Sequence, residues 1–314
     1  MKGIFLSCLL LCLSCRQREA NPTVTPPYEV SRFSGTNALQ EVRGFLAVGP
    51  RVAGTKGAQH AADALQQRLT SLGVGVERQS FQDVTPTGSN SFINVIATIP
   101  GGKPGLILLG AHTDTKSGIE SFDGANDSGS GIGVLLALAP ILKAGAGQAP
   151  TIQLVFLDGE ECRIDYGPTD GLHGSRHLAA ELSRTGRSRE VLAFILLDMI
   201  GDRDLSVTVP RNGTPDLISR VFDAATESGV RSKFSLFPGT ILDDHQPFLD
   251  HGMPAVDLID FEYGSAPGLN DYWHTSADTV DKLSADSLEI VGRVVLRALN
   301  GLVYSTSESF KAAN

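Results

Sequence analysis

Cysteine is nearly missing from the part of this chain that could use it to hold a fold together. Four occur among 314 residues, and three of them (Cys8, Cys12 and Cys15) fall within the first fifteen positions. Cys162 stands alone in the rest, which excludes an intrachain disulfide and a cysteine-rich zinc site there. Stability must come from a packed core. Basic side chains are also outnumbered: 26 Lys and Arg face 35 Asp and Glu, a formal charge of −9. That balance excludes nucleic acid as a partner, because phosphate binding needs clustered cations. Tryptophan occurs once, as Trp273. The first apolar run, Ile4 to Leu13, falls short of the roughly 20 residues that span a bilayer.

That run still has a reading. MKGIFLSCLLLCLSC, an apolar stretch behind one Lys, suits a signal peptide over residues 1–15. Ser14-Cys15 resembles the cleavage site of a bacterial lipoprotein, in which the Cys becomes lipidated; a plain secretory signal or a misplaced start codon fits the same residues. The expectation is an exported protein, periplasmic or held at a membrane only through a lipidated Cys15, and monomeric. Residues 16–33, polar and Pro-bearing, predict a flexible tether ahead of one catalytic domain over 34–310.

The 41% hydrophobic content of an ordinary globular protein is distributed in an alternating pattern. GAQHAADALQQRLTSLGV (57–74) carries apolar residues at helical spacing and ends at Gly. SFINVIATI (91–99) and LILLGAH (106–112) are strand-like, and SGIGVLLALAPILKAG (130–145) reads as a buried helix. Strand 151–158, helix 173–183, strand 191–198, a helix near 214–229, strand 254–260 and a closing helix over 284–304 follow. Two of the strands are continuous apolar runs, as required when both faces are buried. The pattern predicts a single-domain α/β fold: a mixed, mostly parallel twisted sheet with helices on both faces.

In such sheets, ligands bind beyond the carboxyl ends of the strands. Those ends carry His112 and Asp114, then Glu160 and Glu161, then Asp198; Asp127 precedes the buried helix, and Asp243, Asp244, His245 and His274 come later. Taken singly, an Asp at a strand end is usually a turn or a helix cap. Recurrence argues otherwise, because so many acids at one edge repel one another unless a cation sits among them or some are protonated. Carboxylates with His and no Cys suit a catalytic Zn²⁺ with three protein ligands; magnesium prefers all-oxygen ligation. The glycines of SGSGIG (128–133) lack the Lys and the spacing of a phosphate loop, and they read as close packing at a helix start.

At these residues the chain resembles the zinc-dependent exopeptidase superfamily. AHTDT, GANDSGSG, LDGEE, LLDMIGD and YWHT appear in order, with PRVAGT (50–55) ahead of the first long helix. Within that superfamily, DGEECRIDYGPTDGLHGSRHLA (158–179), DDHQPFLDHGMP (243–254) and Trp273 beside His274 look like the glutaminyl cyclases, bacterial members of the animal-type branch. The resemblance implies zinc held by Asp127, Glu161 and His274, Glu160 as proton shuttle, and Asp198 and Asp243 as an acidic hydrogen-bond network. It also implies Trp273 and Tyr166 as pocket walls, and peptide or protein N-termini as substrate. One zinc is expected on that branch. The dinuclear aminopeptidases would hold two, the second through His112 and Asp198. Two positions depart from the cyclase pattern: Tyr166 stands where Trp is frequent, and Asp257 where His is frequent.

Overall fold

The apolar runs near 107 and 194 become neighbouring parallel strands buried on both faces. Along the first, Ile107, Leu109 and Ala111 join one hydrophobic cluster, while Leu106 and Leu108 join the other. Ala193, Ile195 and Leu197 alternate with Phe194 and Leu196 in the same way. The computed structural model describes residues 25–312, so the expectations for residues 1–15, Cys15 included, and for 16–24 lie outside the described residues.

In chain order, helices α1 (Gly35–Leu46) and α2 (Lys56–Ser71) precede a hairpin of β1 (Gly75–Thr85) and β2 (Gly88–Ile99). A central alternation follows: β3 (Lys103–His112), α3 (Gly129–Gly145), β4 (Pro150–Leu157), α4 (His173–Arg184) and β5 (Val191–Asp198). Then come β6 (Val207–Pro210), α5 (Pro215–Glu227), β7 (Phe234–Phe237), α6 (Gln246–Asp250), β8 (Ala255–Ile259) and α7 (Ala285–Ala312). The strands form one eight-stranded sheet in the order β1-β2-β4-β3-β5-β8-β6-β7. Its middle, β4-β3-β5-β8, is parallel; antiparallel pairings join β2 to β4 and β6 to β8. Residues of α1, α2, α3, α5 and α7 belong to one core cluster, and residues of α4 and α6 to the other.

The glycines in the first turns of α3 do close-packing work. A Cβ on Gly131 would lie 2.3 Å from the Leu197 carbonyl, and one on Gly133 would lie 2.4 Å from Val42. This approach seats α3 directly on β5 and α1, which brings Asp127, just before the helix, up to the strand ends.

The segment expected as a tether needs correction. Tyr28 and Phe33 are buried. Asn300 clamps Tyr28 by accepting from its amide at 3.1 Å and donating to its carbonyl at 2.9 Å. The Phe33 ring fills the space that a side chain on Gly292 would need. Polar flanks hid two aromatic anchors whose burial outweighs local disorder. The pattern also passed over α1, whose buried face is Ala38, Val42 and Phe45 behind a Ser34 cap, and β1, an edge strand with a mostly exposed face.

Candidate active site

The parallel strands end together. His112 closes β3 opposite Leu157 of β4, and Asp198 closes β5 opposite Ile259 of β8. The loops beyond these ends are held by buried polar side chains. Asp114 accepts from the amides of Gly159, Glu160 and Glu161 at 2.9, 3.0 and 3.1 Å, fixing the turn that carries both glutamates. Asp278 accepts from the amides of Asn126 and Asp127 at 2.8 and 3.1 Å and from the Tyr263 hydroxyl at 2.6 Å. The fully buried Arg51 donates to the carbonyls of Gly49, Thr113, Asp123 and Gly124, tying the loop after β3 to the approach to α3. Asp114, one of the strand-end acids, is therefore a scaffold for the glutamates and does not line the cavity.

Two triads result, and they share Asp127. In the first, His274 Nε2 lies 3.0 Å from Glu161 Oε1 and 3.3 Å from Asp127 Oδ2. In the second, His112 Nε2 lies 3.0 Å from Asp127 Oδ1 and 3.4 Å from Asp198 Oδ1. Each triad offers three ligand atoms within 4.8 Å of one another. Asp127 Oδ2, Asp198 Oδ1 and both ring nitrogens of His112 are buried without a hydrogen-bond partner. Such orphans are costly in a protein interior unless something else satisfies them. A divalent cation fits: convergent nitrogen and carboxylate donors are its natural ligands. His274 and Met199, next to Asp198, hold left-handed backbone at φ 54° and 50°, conformations that side chains other than glycine adopt only where the surroundings enforce them.

Charge is crowded here. Burial pushes the Glu160 carboxyl well up, with Glu161 and Asp243 adding repulsion. Burial also raises Asp243, assisted by Asp198 and Asp244, and raises Asp198 itself. Asp127 behaves oppositely: burial disfavours its charge, but the neighbouring imidazoles of His112 and His274 hold its pKa low. Burial likewise opposes charge on His274, yet Asp127 and Glu161 raise its pKa to about 9. The site thus retains protons that a metal ion would displace.

A cavity of about 480 Å³ opens onto the first triad, with Glu160, Tyr166, Asp198, Asp243 and Trp273 among its walls. Trp273 is 37% exposed and stacks on His274 with ring centroids 4.0 Å apart. The Tyr166 hydroxyl donates to Glu160 Oε1 at 2.7 Å. A slightly larger cavity, about 550 Å³, lies far from this chemistry between α5, α7 and the N-terminal segment, and no histidine lines it.

Several features were not readable beforehand. Lys116 places its ammonium 3.3 Å from Glu161 Oε2 and donates to the Cys162 carbonyl at 2.7 Å. Its only signal was a lone cation four residues after His112. Phe237, Ile241 and Leu242, from β7 and the loop behind it, complete the apolar walls. Asp257 is fully buried on β8, with His245 Nδ1 3.9 Å away. Among the remaining histidines, His173 pairs with Asp83 at 2.8 Å, His177 stacks on Phe81, and His60 is exposed.

Comparison with known proteins agrees with this geometry. Residues 94–299 match the model of peptidase family M28. A glutaminyl-peptide cyclotransferase-like protein from Bos taurus is 31% identical over 274 residues, covering 78% of this chain and 70% of its own. The crystal structure of an Acidobacteriales bacterium glutaminyl cyclase superposes with a TM-score of 0.83 at 34% identity, covering 92% of this chain and 100% of that one. A leucine aminopeptidase precursor from Bacteroides thetaiotaomicron superposes with a TM-score of 0.74 at 26% identity, covering 87% and 99%.

Proposed function

The chain belongs to peptidase family M28, and from that premise we infer that it is a glutaminyl-peptide cyclotransferase, turning an N-terminal glutamine into pyroglutamate with release of ammonia. One observation carries the reading beyond the relatives. Glu160 is adjacent to a member of the first triad but outside it, and it faces the cavity.

Asp127, Glu161 and His274 would hold one zinc ion, which when bound supplies a Lewis acid for the side-chain carbonyl of the glutamine. Glu160 accepts a proton from the α-amine as that nitrogen bonds to the amide carbon. It returns the proton to the departing amide nitrogen, which leaves as ammonia, so the reaction balances without another reactant. The raised pKa of Glu160 suits this two-way role, since a group that both takes and gives a proton works best near the operating pH. The charge of Asp243 bears on Glu160 and that of Asp198 bears on Asp243, so the three acids would titrate as a linked network. Trp273 and Tyr166 flank the glutamine side chain.

The aminopeptidase reading rests on the second triad. Burial disfavours charge on His112, but Asp114, Asp127 and Asp198 raise its pKa well above the usual value. The His112 side chain is 2% accessible and does not line the cavity, so its imidazole does not open to substrate, which supports a single catalytic zinc. The test is a glutamine-initiated peptide beside a leucine arylamide. Ammonia release from the first, abolished in Glu160→Gln with zinc retained, supports cyclisation; fast hydrolysis of the second without ammonia release contradicts it. If Glu160→Gln loses its metal, the roles of the two glutamates are exchanged.

A further inference from the structure

From the sequence, Tyr166 is a wall of the pocket, set where cyclases often carry Trp. In the structure it also holds a hydroxyl against Glu160 Oε1 at 2.7 Å. Burial, with Glu160 and Glu161 nearby, pushes its ionisation far up, so this hydroxyl keeps its proton and donates it. When Glu160 is ionised, a bond of this kind is charge-assisted and about twice as strong as a neutral one.

The loop around Tyr166 is built to hold that ring in place. Asp170 accepts from the amides of Arg163, Ile164 and Asp165 at 2.7, 2.9 and 3.2 Å, folding the loop around its own carboxylate. Arg176 donates to the carbonyls of Gly167 and Pro168 from the first turns of α4. The Leu172 amide then returns to the Glu160 carbonyl at 2.9 Å, closing the loop on the residue that the hydroxyl touches. Gly171, at φ +77°, leaves room for the ring: a Cβ there would lie 2.5 Å from it. The Lys116 ammonium stands 5.9 Å from the ring centroid on a side chain already engaged with Glu161 and Cys162. Backbone, ring and hydroxyl are each constrained independently.

We propose that Tyr166 is a positioning residue for proton transfer: its hydroxyl engages Oε1 of Glu160, leaving Oε2 as the oxygen that carries the proton from the α-amine to the leaving ammonia. A freely rotating carboxylate would divide its time among orientations, only some of which reach both nitrogens. The proposal rests on the cyclase reading and assigns Tyr166 a role beyond shaping the pocket.

Tyr166→Phe removes only the hydroxyl, and Tyr166→Leu removes the ring as well. On a glutamine-initiated peptide, the Phe variant should lose about tenfold in kcat, the worth of one hydrogen bond to a charged group, with KM within about twofold. The Leu variant should show at least the same loss in kcat together with a raised KM. Zinc per chain, measured on both variants, should match the wild type. A Phe variant with wild-type kcat, whatever its KM or melting temperature, overturns the proposal and leaves Tyr166 as a wall. A wild-type enzyme that releases no ammonia defeats the cyclase reading itself, a different failure from a Phe variant that matches an active wild type.

Discussion

The two triads that share Asp127 are built from the same residue types yet sit in different surroundings. His274 is partly exposed, with 20% of its side chain accessible, and it lines the cavity with Asp127 and Glu161. His112 has 2% of its side chain accessible and does not line the cavity. One triad opens to the cavity. The other is a sealed charge cluster whose imidazole lies among Asp114, Asp127 and Asp198. Ligand geometry alone therefore does not set the number of metal ions, and the two triads differ in access.

The largest test of this difference replaces each histidine in turn. His274→Ala should remove zinc and reduce cyclisation to background, as read by metal content after dialysis and by ammonia release. His112→Asn should keep one zinc per chain. It should instead lower folding stability by about 3 kcal/mol, because buried carboxylates lose their partner, read by urea denaturation. Loss of zinc in both variants would erase the distinction.

A smaller effect sharpens the first triad. Lys116→Met removes the cation beside Glu161 Oε2 while keeping the length of the side chain. Zinc affinity, measured by competition with a chelator, should fall about tenfold, as it does when partners of metal ligands are removed elsewhere. An unchanged affinity would make Lys116 a tether for the Cys162 carbonyl only.

Much of this site was legible because acids and histidines at strand ends have few alternatives in an α/β sheet. His112, Asp127, Glu160, Glu161, Asp198, Asp243 and His274 meet where strands β3, β4, β5 and β8 end. Contacts that depend on side-chain reach were hidden. A lone Lys116 gives no periodic signal, and the Tyr166 hydroxyl finds Glu160 only once Asp170 has folded the loop between them. The same holds for the fold. Doubly buried strands show as apolar runs, whereas β1 at the edge and the short β6 and β7 do not. Tyr28 and Phe33 were masked by polar neighbours, and Asp114 was grouped with the acids of the site because its three amide partners lie 45 to 47 residues away in sequence.

The mildest expected effect is on the pH dependence of stability. Burial raises Asp244 and Asp278 to about 7 and Asp260 to about 6. Such groups stabilise the fold fully below their unfolded value of 3.8, and that contribution disappears as pH rises through 6 to 7. His245 works the other way: burial lowers it to about 4, so stability declines as pH falls from 6.5 toward 4. The metal-free protein should therefore melt lower at pH 8 than at pH 5.5. Added zinc should raise the melting temperature more at pH 8, where the carboxylates are ionised. A zinc effect independent of pH would place the ion away from these acids.

The most direct measurement is a titration of metal-free protein with zinc, followed by metal analysis and by ammonia release from a glutamine-initiated peptide. Cyclisation should rise linearly and reach its plateau at one zinc per chain. Activity that requires a second equivalent, appearing together with hydrolysis of a leucine arylamide, would contradict the single-zinc cyclase and assign the sealed triad a metal of its own.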